Sequence, residues 1–193
     1  ACDGEPAIDL AFGDFDGRET RDLAVLCPAE GLHFTLELWR FKSGWQRYDE
    51  ATGNGLPRTL AVTDLSYDGV DDLIVGTSLG FTTIVGRDTS PDIVHDLLVD
   101  TATGEVTNIA ATDLSYDGYG DAIVIADGVA LRYDNSQDPL DPLYFSSDVA
   151  VDAPREVAIA NPDRDGYPEL VFSTDTGLFI RSLDGTPADV PTI

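Results

Sequence analysis

Four short stretches of this chain place carboxylates at a spacing suited to holding a hard divalent cation. They read Asp14-Phe-Asp-Gly-Arg-Glu-Thr-Arg-Asp22, Asp64-Leu-Ser-Tyr-Asp-Gly-Val-Asp-Asp72, Asp113-Leu-Ser-Tyr-Asp-Gly-Tyr-Gly-Asp121 and Asn161-Pro-Asp-Arg-Asp-Gly-Tyr-Pro-Glu169, here loops 1 to 4. Counted from the first residue, oxygen-bearing side chains fall at positions 1, 3, 5 and 9, with Gly at position 6, in loops 2 to 4. Odd positions of a tight turn point toward a common centre, and Gly supplies the positive φ that closes it. Loop 2 offers Asp64, Ser66, Asp68 and Asp72 with the backbone carbonyl of Val70. Loop 3 offers Asp113, Ser115, Asp117 and Asp121 with the carbonyl of Tyr119. Loop 4 offers Asn161, Asp163, Asp165 and Glu169 with the carbonyl of Tyr167. Loop 1 keeps Asp14, Asp16 and Asp22 but has Arg18 and Glu19 where the acid and Gly are expected. The Arg18 guanidinium can neutralise those carboxylates in place of a metal, so this site is expected to be empty or weak.

Carboxylates this close repel one another unless a cation lies between them. An all-oxygen donor set suits Ca²⁺ better than Mg²⁺, which takes few protein ligands in strict octahedral geometry. Zinc is disfavoured because the only histidines are His33 and His95, neither with a ligand-like neighbour. The pattern opens like an EF-hand, yet position 12 is Val25, Val75, Val124 or Phe172, not the bidentate Glu that motif requires. For a single loop, an acidic β-turn is an equal reading. Three intact copies in register favour metal, with about three calcium ions per chain expected.

The loops must be positioned by a repeating unit. They begin 50, 49 and 48 residues apart, a period that covers the whole chain of 193 residues. Short β-branched runs flank them, such as Leu60-Ala-Val-Thr before loop 2 and Leu73-Ile-Val-Gly after it, and these read as strands. A third strand is expected at 32–41, 79–85, 128–133 and 177–181, and a weaker fourth at 45–48, 93–99 and 143–145, with only 188–193 available in the last repeat. No stretch carries a helical period. About four antiparallel strands per unit of this length is the pattern of a propeller blade. The expected fold is therefore all-β: one domain, 1–193, forming a β-propeller of four blades at about 6–53, 54–102, 103–151 and 152–193. A β-sandwich or stacked hairpins is the competing architecture.

Composition narrows the partners. Acidic residues number 36 against 11 basic, for a net charge of −25. That excludes a nucleic-acid partner, which needs a basic surface, and disfavours an anionic membrane. No apolar run is long enough to span a bilayer as a helix. Cys2 and Cys27 are the only cysteines. A disulfide between them would suit an exported protein. The competing reading makes Cys2 the lipid-bearing residue of a bacterial lipoprotein. With no methionine and no leader, a mature or trimmed product is expected.

The loop pattern between short strands resembles the FG-GAP/VCBS repeat family, the blades of integrin α-subunit propellers and of many secreted bacterial proteins. The family's Asp-x-Asn/Asp-x-Asp-Gly-x-x-Asp-Leu pattern is matched by 64–73 and 113–122, by 161–170 with Asn and Glu substitutions, and in part by 14–23. Ser66 and Ser115 depart from it, standing where the family prefers Asn or Asp. The resemblance implies a calcium-stabilised propeller, extracellular, at the cell surface or periplasmic, that binds protein or glycan. Family propellers usually have about seven blades, so four leave open a four-blade ring, a ring completed by a homodimer, or a fragment. The expected role is a non-enzymatic interaction or adhesion module with structural calcium. A lectin is the alternative, with Trp39, Trp45, Tyr67 and Tyr119 available to stack on sugar rings. A secreted hydrolase or lyase ranks below both, since no nucleophile elbow, zinc-protease motif or phosphate loop occurs.

Overall fold

The computed structural model describes residues 2–18, 21–88, 93–101, 103–137, 143–161 and 167–182, with 87–88 and 93–101 described by their backbone alone. The described chain is all-β and folds into four antiparallel sheets, each a simple meander. The first holds β1 (Asp9–Gly13), β2 (Asp22–Ala29), β3 (His33–Phe41) and β4 (Trp45–Asn54). The second holds β5 (Pro57–Thr63), β6 (Asp72–Thr77), β7 (Gly80–Asp88) and β8 (Ile93–Thr101). The third holds β9 (Val106–Thr112), β10 (Asp121–Ala126), β11 (Val129–Asn135) and β12 (Leu143–Val149). The fourth shows β13 (Pro154–Ala160), β14 (Glu169–Thr174) and β15 (Gly177–Ser182). The strand expected at 188–193 lies outside the described residues.

Sheets follow one another in space as in sequence. β1 packs on β5, β5 on β9 and β9 on β13. The second strand of an inner sheet is therefore enclosed on both faces, which is why it reads as an unbroken apolar run. In β6, Leu73 and Val75 join the core shared with the first sheet, while Ile74 joins the core shared with the third. In β10, Ala122, Val124 and Ala126 face the second sheet and Ile123 and Ile125 the fourth. All six residues of each strand are buried.

Polar side chains staple neighbouring sheets. The Asp9 carboxylate of the first sheet accepts the Leu60 N–H of the second at 2.8 Å, and the Asn108 side-chain oxygen of the third sheet accepts the Val157 N–H of the fourth at 2.8 Å. The outer face of β2 is covered differently. Cys2 and Cys27 form a disulfide with Cα atoms 5.1 Å apart, and Val25, Leu23 and Trp39 pack around it. Closing a loop of 25 residues stabilises the fold by about 3.5 kcal/mol in the chain-entropy picture. The lipoprotein reading needs the Cys2 sulfur that this bond uses.

Candidate metal centre

Each loop leaves the first strand of a sheet and ends on the first residue of the second: Asp22, Asp72, Asp121 and Glu169 open β2, β6, β10 and β14. The turn closes on itself in the same way in three loops. The position-5 N–H donates to the first Asp: Arg18 to Asp14 at 3.0 Å, Asp68 to Asp64 at 3.3 Å, and Asp117 to Asp113 at 3.2 Å. Loops 2 and 3 add the position-6 glycine N–H, from Gly69 to Asp64 and Gly118 to Asp113, both at 2.9 Å. The Asp68 carboxylate accepts from Val70 N–H and that of Asp117 from Tyr119 N–H. That amide, more than the Gln137 and Ser115 side chains, holds Asp117 below the usual carboxylate range.

Position 9 separates the loops. Asp72 is fully buried, and one of its oxygens accepts the Leu65 and Ser66 N–H groups at 2.7 and 3.1 Å. The other accepts Gly86 N–H, from the third strand of the sheet, at 2.8 Å. Asp121 repeats this with Leu114, Ser115 and Asn135. These two carboxylates clasp the loop to its own sheet. Burial still pushes the Asp72 carboxyl up to about 7 despite its amide donors, and raises Asp121 as well.

Asp22 is equally buried but differently partnered. One oxygen accepts the Tyr48 hydroxyl at 3.0 Å, and the other has no hydrogen-bond partner among the described residues. Burial, then the charge of Asp16, raises its carboxyl to about 6. The side chain of Asp16 is 7% exposed and likewise keeps one oxygen without a hydrogen-bond partner. Its other oxygen lies 3.6 Å from Arg18 and 3.7 Å from Arg40, whose guanidinium stands over the Tyr48 ring. Asp14, Asp16 and Asp22 bring ligand oxygens within 4.8 Å of one another, the only such trio of acidic, His or Cys groups among the described residues. Two buried, orphaned carboxylate oxygens in that trio fit a cation well, because a desolvated anion without a donor is costly. In loop 2, Ser66 Oγ is also buried without a partner, so the position-3 oxygen is unspent there as in loop 1.

Loop 1, expected to be empty or weak, is the loop whose acidic side chains come within 4.8 Å of one another among the described residues, and both Arg18 and Arg40 pair with the Asp16 carboxylate through one of its oxygens. In loop 4, Asn161 is exposed, Glu169 is buried and Tyr167 is described, while Asp163 and Asp165 lie outside the described residues. The sequence pattern did not reveal Tyr48 and Arg40, the residues that shape the loop 1 site. They come from β4 and β3, far from the loop in sequence.

Adjacent loops are joined. Asp71 N–H donates to the Asp14 carbonyl and Gly120 N–H to the Asp64 carbonyl, at 2.9 and 2.8 Å. Asn135 Nδ2 reaches both the Leu65 and Gly120 carbonyls. No known protein-family model matches the chain, and no curated protein matches it.

Proposed function

We propose that this chain is an extracellular, non-enzymatic binding module of propeller type, whose Asp-rich loops hold structural calcium. The observation that carries the reading is the pair of buried, orphaned oxygens of Asp16 and Asp22 inside the Asp14/Asp16/Asp22 trio. A calcium ion there would take Asp14, Asp16 and Asp22 as ligands and offset both the burial and the Asp16 charge that raise the Asp22 carboxyl. In loops 2 and 3, Asp64, Asp68, Asp113 and Asp117 with Ser66 and Ser115 form the corresponding sets. Loop 4 carries the corresponding residue types in its sequence, Asn161, Asp163, Asp165 and Glu169.

Several features support the rest. Four meanders stacked through their first strands suit successive blades of an FG-GAP/VCBS-like propeller. The disulfide suits an oxidising compartment. No helix among the described residues is long and apolar enough to cross a membrane. The repeat already accounts for the carboxylates that an acid–base enzyme would otherwise claim. Calorimetric titration of chelator-stripped protein tests the proposal. Calcium should bind with micromolar or tighter affinity to at least one site, and Asp16→Asn with Asp22→Asn should abolish that site. Binding unaltered by the double substitution would overturn the assignment to loop 1.

A further inference from the structure

Tyr67 and Tyr116 occupy position 4 of loops 2 and 3, and both adopt the left-handed backbone, φ 57° and 60°. Non-glycine residues pay roughly 1–2 kcal/mol there, and loop 1 places Gly17, at φ 65°, in the same position. A backbone that suits glycine thus carries a large aromatic in two loops, and that aromatic is mostly outside the core: Tyr67 is 63% exposed and Tyr116 52%. Burial does not explain the choice, and strain kept at an exposed side chain points to function.

The rings are arranged across loops. Tyr67 pairs with Tyr119 of the next loop at 5.1 Å between centroids, and Tyr116 pairs with Tyr167 of the loop after that at 5.6 Å. Gly118 lies directly beneath Tyr67, where a Cβ would meet the ring at 2.6 Å. The result is a strip of four tyrosines running over loops 2, 3 and 4. Exposed Asp68 and Asp117 each follow directly after a strained tyrosine. Residues 64–72 and 113–121 hold no Lys, Arg or His and seven Asp, of which Asp72 and Asp121 are buried, in a chain of net charge −25; loop 4 adds Asp163, Asp165 and one basic residue, Arg164.

We propose that this strip is a docking surface for an arginine-rich polypeptide segment. Charge complementarity selects a cation, and the rings select among cations. A planar guanidinium stacks on a tyrosine face and bridges a carboxylate with two hydrogen bonds, whereas an ammonium does neither as well. Pairs repeating from loop to loop suit an extended segment that offers a guanidinium at each step. The surface does not depend on the calcium reading, so it is tested in chelator.

The probe is a fluorescein-labelled dodecapeptide alternating Arg and Gly, titrated at physiological salt, with a Lys–Gly peptide and a glycan array as comparators. The Arg peptide should bind at least tenfold more tightly than the Lys peptide. Tyr67→Gly with Tyr116→Gly relieves the backbone, leaves the charge unchanged and should weaken binding at least tenfold with the melting temperature retained. Tyr67→Phe with Tyr116→Phe keeps the rings and should keep binding, which guards against a folding defect in the glycine variant. Asp68→Asn with Asp117→Asn should weaken binding, while Asp3→Asn with Glu5→Gln, an equal loss of charge at an exposed site elsewhere, should not. Equal binding by the glycine variant, equal loss in the remote charge control, or capture of glycans with no peptide binding would each overturn the proposal.

Discussion

Asp14 and Asp71 hold each other in both directions: the Asp71 N–H donates to the Asp14 carbonyl at 2.9 Å, and the Asp71 carboxylate accepts the Asp14 N–H at 2.8 Å. The first residue of loop 1 is thereby fixed from the neighbouring sheet, so the candidate metal centre depends on how two sheets pack. The link weakens along the chain. Gly120 keeps the backbone donor without a side chain, and its open Cα admits Thr63, which a Cβ would meet at 2.3 Å. Pro168, at the same position of loop 4, has no N–H to donate.

Asp71→Ala should therefore destabilise the protein by about 1–2 kcal/mol, the cost of an unpaired amide, and should weaken calcium binding at loop 1. Asp71→Asn retains an acceptor and should cost less. Denaturant melts with and without calcium measure both effects.

The clasp and the turn carboxylates should separate cleanly. In chelator near pH 8, Asp72→Asn sets an amide group against backbone donors inside the fold and should cost about 2–3 kcal/mol. Asp68→Asn changes an exposed side chain and should stay within about 0.5 kcal/mol. Equal effects would show that Asp72 is not the structural member of the pair.

The pH dependence follows from the two raised carboxyls. Asp22 and Asp72 titrate in the fold at about 6 and about 7, against 3.8 for the free side chain. Burial is the leading cause in both. Between about pH 4 and 7 the folded chain binds protons that the unfolded chain has released, so stability falls as pH rises through that window and returns on acidification. Metal-free protein should melt at a higher temperature at pH 5 than at pH 7.5. The stabilisation that calcium adds should shrink over the same acid range, because protons compete for the Asp22 carboxylate.

Calcium and an arginine-rich peptide both draw on Asp68 and Asp117. If both proposals hold, each ligand must lower the other's affinity by the same factor. Peptide titrations at fixed calcium and calcium titrations at fixed peptide provide the two measurements, and an affinity left unchanged by the other ligand would show that the two do not share these carboxylates.

Much of the fold was legible because its signals are local. The 50-, 49- and 48-residue spacing anticipated four successive sheets, and runs such as Leu73-Ile-Val anticipated the strands after each loop. Cys2 and Cys27 were legible as a pair. The ranking of the loops was not. In loops 2 and 3 the ninth carboxylate meets backbone amides at Gly86 and Asn135, groups that every sequence contains and none advertises. In loop 1 the corresponding partner is a Tyr48 hydroxyl, which leaves an oxygen of Asp22 unspent. Arg18 stood out as a replacement for the metal, yet it reaches only one oxygen of Asp16. The tyrosine pairs were equally hidden, since each joins position 4 of one loop to position 7 of the next.

The central claim is that calcium in these loops stabilises the fold. A thermal melt of the purified chain in calcium and then in excess chelator, with bound metal counted, tests it most directly. At calcium roughly a hundredfold above Kd, each occupied site should raise the melting temperature by about 5–10 °C, with the gain lost on chelation and reduced in Asp16→Asn with Asp22→Asn. An unchanged melting temperature and no bound metal would reduce the loops to acidic turns and contradict the account.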